Sequence, residues 1–267
     1  MTEFEAQVDR VVSTAAELSP DELSSDEMDL VDGLQGLAAL VTGGLSLDDL
    51  LAAVAGFAAR AIPGVDGAGV TSIRPKGTTM GVAAWAVTKP FVREIDVIQY
   101  EMLQEGPCIT CMQDRTAVIS GYLGGDRRWP RFGGRAGRLG VASSMSLPLL
   151  ITDQVVGAIN CYAYDSDVFG EHAVQLGTQF AGPAAVSVFN AQIIGEARDT
   201  AAQLQRALVS RTVIDQAIGI VRARSGSTAE EAFERLRQIS QTENTKLREV
   251  ARRIVEDAVS RARARHT

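Results

Sequence analysis

The sequence predicts an α+β chain, an antiparallel sheet sandwiched with helices, followed by an all-α bundle of three helices. Three observations carry this. The apolar period changes from helical to strand-like near Gly67 and back near Phe169. The middle of the chain holds a clear hairpin, and after residue 199 three amphipathic segments follow one another with glycine and cap signals between them. A chain of 267 residues has room for two domains, which commonly run about 100 to 200 residues each. Hydrophobic residues at 46% against 22% charged argue for packed cores over disorder.

The first 44 residues form an acidic helical extension, with helices expected over Phe4 to Leu18 and from Pro20, where Leu30, Leu34, Leu37 and Leu40 keep helical spacing up to a stop at Gly43-Gly44. Residues 45–195 make the α+β domain. Ser46-x-x-Asp49 is a capping-box pattern. Leu50, Leu51, Val54, Phe57, Ala58 and Ala61 then give one apolar face. Strands are expected at 68 to 73 and 80 to 87, helical spacing over Phe91 to Leu103, and a short strand at Ala117 to Ile119. Met145, Leu147 and Leu149 alternate with Ser144, Ser146 and Pro148; Thr152-Asp153 turns the chain, and residues 154 to 163 return. Pro148 calls for an edge position or a bulge. The order of elements places the helices on one face of the sheet. From Phe169 a helix leaves the sheet and carries on toward the C-terminus past Pro183.

Residues 196–267 form a linker and a helical bundle. Ala197, Ala201, Leu204 and Leu208 have the 4, 3, 4 spacing of a coiled-coil seam and suit a homodimer contact. Arg224-Ser225-Gly226 stops the first helix, and Ser227-Thr228-Ala229-Glu230-Glu231 opens a second with Ala232, Phe233, Leu236 and Ile239 on one face. Asn244 or Thr245 caps a third carrying Leu247, Val250, Ala251, Ile254 and Val255. Helices this short and apolar on one side only must pack together.

The net charge of -7 is unevenly spread. Residues 1 to 50 hold twelve acids and one base, while residues 199 to 267 hold thirteen bases and nine acids, so a polyanion would be met at the C-terminal end. The acidic start lacks the blocks of a signal peptide, and three cysteines in so long a chain fit a reducing compartment; both favour a cytoplasmic protein without a membrane anchor. Cys108-Ile109-Thr110-Cys111 has redox or zinc spacing. Zinc would need two further ligands, and only Cys161, His172 and His266 remain. Free cysteine is among the most buried residue types, which favours Cys108, Cys111 and Cys161 as buried or pocket-lining thiols. Trp85, Trp129 and Phe132 could line the same pocket. No histidine stands beside a nucleophile, and no phosphate-binding loop is present, so the pattern offers no enzyme.

Residues 45 to 195 resemble a GAF domain, on the capped entry helix, the strands with Leu147-Pro148-Leu149 and Val156-Gly157-Ala158-Ile159-Asn160, and Phe169 before the exit helix. Glu105-Gly106-Pro107-Cys108 looks like a segment of GAF domains in actinobacterial regulators. The resemblance implies a pocket for a small ligand between sheet and covering helices, or a redox sensor. Neither a cyclic-nucleotide nor a bilin signature is present, because Asn160 is followed by Cys161 and Tyr162 and no cysteine precedes a histidine. The cofactor, if any, is not legible.

Residues 199 to 259 are similar to the ANTAR family over Ala207-Leu208-x-Ser210-Arg211, Ile214-x-x-Ala217-x-Gly219-Ile220, Arg224-x-Gly226, Glu231-Ala232-Phe233-x-x-Leu236-Arg237 and Asn244-x-Lys246-Leu247-x-x-Val250-Ala251. This implies binding of RNA hairpins in nascent transcripts and transcription antitermination, with Arg211, Arg222, Arg224, Lys246, Arg248, Arg252 and Arg253 as the candidate contacts. The family usually has a lysine where this chain has Ile218, and a cation there is expected at the surface. Its loss leaves open a second class of function, a sensor whose helical tail binds a protein partner instead of RNA.

Overall fold

Ser19 starts the first helix by reciprocal capping: its hydroxyl accepts from the Glu22 amide at 3.3 Å, and the Glu22 carboxylate accepts from the Ser19 amide at 2.9 Å. Helix α1 (Pro20–Ala39) follows, and Ser46 and Asp49 repeat the device for α2 (Leu47–Ala61). The computed structural model describes residues 18–40, 45–76 and 79–264, so the helix expected from Phe4 and the stop at Gly43-Gly44 lie outside the described residues. The chain divides into two compact units, Met1–Gly195 and Glu196–Thr267.

In the first unit five strands pair antiparallel in the order β2-β1-β5-β4-β3. They are β1 (Gly67–Lys76), β2 (Thr79–Val87), β3 (Val118–Ser120), β4 (Ser143–Ile151) and β5 (Gln154–Ala163). The expected hairpin is present, with Ile151 opposite Gln154 and Thr152 turning at φ 55°. Pro148 lies in β4 beyond the stretch that β3 covers, and the register shifts next to it between Leu149 and Leu150. A missing ladder donor is tolerated there.

Helices cover both faces of this sheet, not one. Against one face, α1, α2 and the long α6 (Glu171–Ser225) bury Leu37, Leu51, Val54, Phe180 and Val188 on Val70, Met145, Leu147 and Ile159. Gly33 of α1 lets the helices approach, since a Cβ there would lie 2.9 Å from that of Ala61. Against the other face lie α3 (Pro90–Val97), a π-helical segment (Ile98–Leu103), α4 (Pro107–Asp114) and α5 (Pro130–Arg138). Their core is Val92, Ile95, Cys111, Leu123, Trp129, Phe132 and Ala136, packed on Tyr162. The alternation of β4 therefore separates two interiors and not core from solvent: Ser144 and Ser146 are as buried as Met145 and Leu147.

The helical spacing expected over Phe91 to Leu103 is split at Ile98, where the wider π turn begins, and ends at Gln104 with φ 50°. His172, which stands alone in the sequence, meets Asp26 of α1 at 3.1 Å.

In the second unit the end of α6 packs with α7 (Ala229–Thr242) and α8 (Leu247–Ala264) around Ala217, Leu236, Val250 and Ala251. Gly226 at φ 69° stops α6, its amide donating to the Arg222 carbonyl at 2.9 Å. Thr228 and Glu231 form the capping box of α7. The expected cap of α8 differs: Asn244 turns the chain at φ 49°, and the Thr245 hydroxyl donates back to the Glu243 carbonyl, leaving the helix to begin at Leu247.

Candidate functional site

The second face of the sheet carries a row of polar side chains. Strand register puts Thr71, Trp85, Ser144, Ser146, Asn160 and Tyr162 on it, and Gly67 and Gly69 leave room above β1 for α3. A Cβ on Gly69 would stand 3.0 Å from Asp96 Oδ2. Asp96 comes from α3, Gln99 and Tyr100 from the π segment, and Cys108 from α4. One hydrogen-bonded chain links these elements. The Ser146 hydroxyl donates to Asn160 Oδ1 at 2.9 Å, Asn160 Nδ2 donates to the Tyr100 hydroxyl at 2.9 Å, and that hydroxyl donates to Cys108 Sγ at 2.9 Å while lying 2.8 Å from Thr71 Oγ1. Gln99 Oε1 accepts from the Cys108 amide at 2.9 Å, capping α4.

Beside this chain four buried polar atoms have no hydrogen-bond partner among the described residues: Trp85 Nε1, Asp96 Oδ2, Gln99 Nε2 and Ser144 Oγ. An orphaned buried donor or acceptor costs about 1–3 kcal/mol, and native structures hold few of them. Burial drives the Asp96 carboxyl up to about 8, against the opposing pull of the Tyr162 hydroxyl at 3.4 Å and the charge of Arg93. Asp96 is therefore largely protonated at neutral pH. The orphaned set is donor-rich: a carboxylic O–H, an amide NH2, an indole N–H and a hydroxyl.

Of the sequence-chosen pocket residues, Trp85 and Cys108 reach this site. Trp129 and Phe132 are core, Trp129 donating to Thr110 Oγ1 at 2.9 Å. Cys161 sits on the opposite face with Met145 and Leu147. Cys108 and Cys111 fall in different apolar clusters. Burial pushes the Cys108 and Cys161 thiols up to about 12 and Cys111 higher still, so the reactive thiolate is suppressed at each. An open groove of about 740 Å³, bounded by Met112, Arg115, Thr152, Asp153 and Phe189, lies at the hairpin end and holds none of the orphaned atoms.

Asp96, Gln99, Tyr100, Ser144, Ser146, Asn160 and Tyr162 were not singled out by sequence. One signal was available: Val92, Ile95, Asp96 and Gln99 stand at i, i+3, i+4 and i+7, and a carboxylate inside an otherwise apolar stripe marks a buried polar site.

In the second unit all seven candidate RNA contacts are exposed. Four are engaged: Arg211 with Asp215, Arg248 and Arg252 with Glu249, and Arg253 with Glu243. Arg222, Arg224 and Lys246 form no ion pair among the described residues. They sit before and after α7, whose 14 residues span about 20 Å, so they do not meet at one point. Ile218 departs from expectation. It is half-buried against the bundle core because it adjoins Ala217 on the inward side of α6. Phe233 departs the other way: about 100° round the helix from Ala232, it is 41% exposed and supplies an aromatic ring on the surface. Ala197, Ala201, Leu204 and Leu208 are exposed on α6, Leu204 by 61% and Leu208 by 66%.

Among the described residues no group of three or more His, Cys, Asp or Glu is placed to hold a metal ion, and no helix is long and apolar enough to cross a membrane. The GAF domain of a phosphoenolpyruvate-protein phosphotransferase from Acinetobacter is 16% identical, covering 62% of this chain and 97% of its own with a TM-score of 0.47. The corresponding domain from Coxiella burnetii gives 15% identity, coverages of 63% and 98%, and the same TM-score. Free methionine-R-sulfoxide reductase from Neisseria meningitidis gives 12% identity, coverages of 68% and 98%, and again 0.47. Comparison with curated proteins finds no match. The GAF domain model matches residues 44–188, more than half of the chain, and the ANTAR domain model matches residues 202–255. The chain thus belongs to the GAF domain family and carries a C-terminal ANTAR domain.

Proposed function

We propose that the protein is a signal-responsive RNA-binding regulator that acts by transcription antitermination, its C-terminal bundle binding RNA hairpins in nascent transcripts. The observation that carries this reading is the ANTAR match, which coincides with a three-helix bundle bearing exposed arginines and an exposed phenylalanine. Arginine suits phosphate forks, and a surface ring suits unpaired bases of a hairpin loop. The pairing of GAF with ANTAR supports a sensor and regulator in preference to an enzyme, working in the cytoplasm.

The sensor unit binds a small molecule at the orphaned cluster. Trp85, Asp96, Gln99 and Ser144 ask for a neutral, acceptor-rich ligand, since a protonated Asp96 offers no counter-charge. Suppression of the thiolates weighs against redox sensing through Cys108 and Cys111. The protein acts as a homodimer through Ala197, Ala201, Leu204 and Leu208, and ligand binding biases α6 by the difference in affinity between its two states.

A protein-binding tail is the second reading, favoured by Ile218 in place of a cation and by the four arginines already paired with acids. Titrating the full chain with a two-hairpin transcript and with duplex DNA of equal length, at two salt concentrations, separates the two. Selective, salt-dependent hairpin binding supports antitermination. Equal weak binding to both, or none, favours the protein partner.

A further inference from the structure

Five arginines and no acid occupy residues 127 to 138 of the sensor unit, although residues 51 to 198 as a whole carry equal numbers of acids and bases. Helix α5 turns Phe132, Gly133 and Ala136 inward. Arg131, Arg135 and Arg138 stand at i, i+4 and i+7, which fall within about 60° of one another and form a stripe along the other side. Two carboxylates offset part of this charge: Glu105 meets Arg131 at 2.8 Å and Asp126 meets Arg128 at 2.7 Å. Arg135 reaches only Met102 Sδ at 4.0 Å, and Arg127 and Arg138 have no partner among the described residues. A surplus of three guanidinium groups remains, with Arg127 and Arg138 exposed and Arg135 half-buried.

Two further features accompany the stripe. Tyr122, on the turn that packs on α5, is 62% exposed, its ring laid against the bare backbone of Gly124 and Gly125. Gly133 is required by the fold because a Cβ would strike the Leu123 carbonyl, but Gly134 is not: a methyl group there meets nothing within 4 Å. An exposed helical glycine costs roughly 1 kcal/mol relative to alanine. Gly134 adjoins the stripe and leaves the backbone open to close approach by another molecule.

We propose that this face is a second RNA contact, on which Arg127, just before α5, and the arginine stripe of α5 together clamp the phosphates of single-stranded RNA and Tyr122 stacks on an unpaired base. Guanidinium forks fit phosphate, and an arginine track beside an exposed ring is the chemistry of single-strand binding. The proposal rests on the RNA reading of the C-terminal unit for its occupant.

The test uses the full chain and three RNAs: a blunt hairpin, the same hairpin with a single-stranded tail, and an unstructured oligouridine. Arg127 and Arg138 have no bonding partner among the described residues, so R127E/R138E should melt at the wild-type temperature. It should bind the tailed hairpin about tenfold more weakly, leave the blunt hairpin unchanged, and lower the slope of log affinity against log salt by about 1.4, the value for two single-strand phosphate contacts. Tyr122→Ala should weaken tailed binding several-fold with the slope intact. Wild-type affinity for the tailed hairpin in R127E/R138E overturns the proposal, as does a loss of self-association without any loss of RNA, which would assign the face to an acidic surface of a second copy. If wild type binds no hairpin, the C-terminal reading falls. Oligouridine binding that R127E/R138E abolishes still upholds the stripe, and absence of oligouridine binding ends it.

Discussion

Asp96→Asn should change how the stability of the sensor unit responds to pH. The Asp96 carboxyl, fully buried above Gly69, titrates at about 8 in the folded chain, against about 3.9 for an unfolded aspartate. Folding thus raises its affinity for the proton. The protonated form is retained at no charge cost below about pH 4, and the stability it allows is lost as pH rises through 8. Across that window the loss amounts to about 6 kcal/mol, or about 1.4 kcal/mol for each pH unit. Asparagine has nearly the same shape and no charge to bury. Both tryptophans, Trp85 and Trp129, lie in the sensor unit, so urea unfolding followed by tryptophan fluorescence reports on that unit alone. Between about pH 5 and pH 8 the wild type should lose stability relative to Asp96→Asn along that slope, and the difference should level off above pH 8. Parallel curves for the two proteins would refute the reasoning, because the carboxyl would then be hydrated or neutralised in the fold.

Three further outcomes are expected. Near pH 8 a thiol reagent should modify Cys108 and Cys161 about a hundredfold more slowly in the native chain than in urea, since burial holds both thiols protonated; rapid native labelling would restore the redox reading. Gly69→Ala should cost the sensor unit about 1–3 kcal/mol in urea unfolding, because its Cβ would press on Asp96 Oδ2 at 3.0 Å and Val92 Cγ1 at 3.2 Å; no loss would mean that α3 can lift away. Leu204→Asp with Leu208→Asp should reduce self-association in sedimentation, since the exposed leucines are the apolar part of the proposed seam; an unchanged mass would overturn the proposed dimer contact.

Local signals in this sequence were reliable where a few neighbouring residues decide the structure. The Ser46 and Thr228 caps, the Gly226 stop and the Thr152-Asp153 turn are each settled within about four residues, and each is found where expected. Of the second layer of helices only the stretch Phe91 to Leu103 was legible, and α4 and α5 were not. Helix α5 reads Pro-Arg-Phe-Gly-Gly-Arg-Ala-Gly-Arg, whose three glycines hide its helical period, and α4 takes its amide cap from Gln99 on another element instead of from a neighbour. Expecting all helices on one face also hid the site. Ser144 and Ser146 alternate with apolar neighbours as solvent-facing residues would, and only the helices laid over them turn that polar row into an interior. The same difficulty affects Ile218 and Phe233, whose burial depends on a facing helix that periodicity within one helix does not describe.

The two units therefore answer to different solution variables. The sensor interior holds neutral groups shielded from ions, among them an acid that titrates at about 8, so pH alters it while added salt scarcely reaches it. The candidate RNA contacts are arginines and a lysine in open solvent, whose attraction for phosphate falls steeply with salt. A change in RNA affinity between about pH 6 and pH 8 at fixed ionic strength that persists when His172 and His266 are both replaced by glutamine originates in the sensor interior. If Asp96→Asn abolishes such a change, the response is carried from the buried site to the RNA surface, and α6 is the one element that contributes residues to both units among those described. If the change is absent in wild type as well, the ionisation of Asp96 is not the signal, and a ligand must supply the difference in free energy itself.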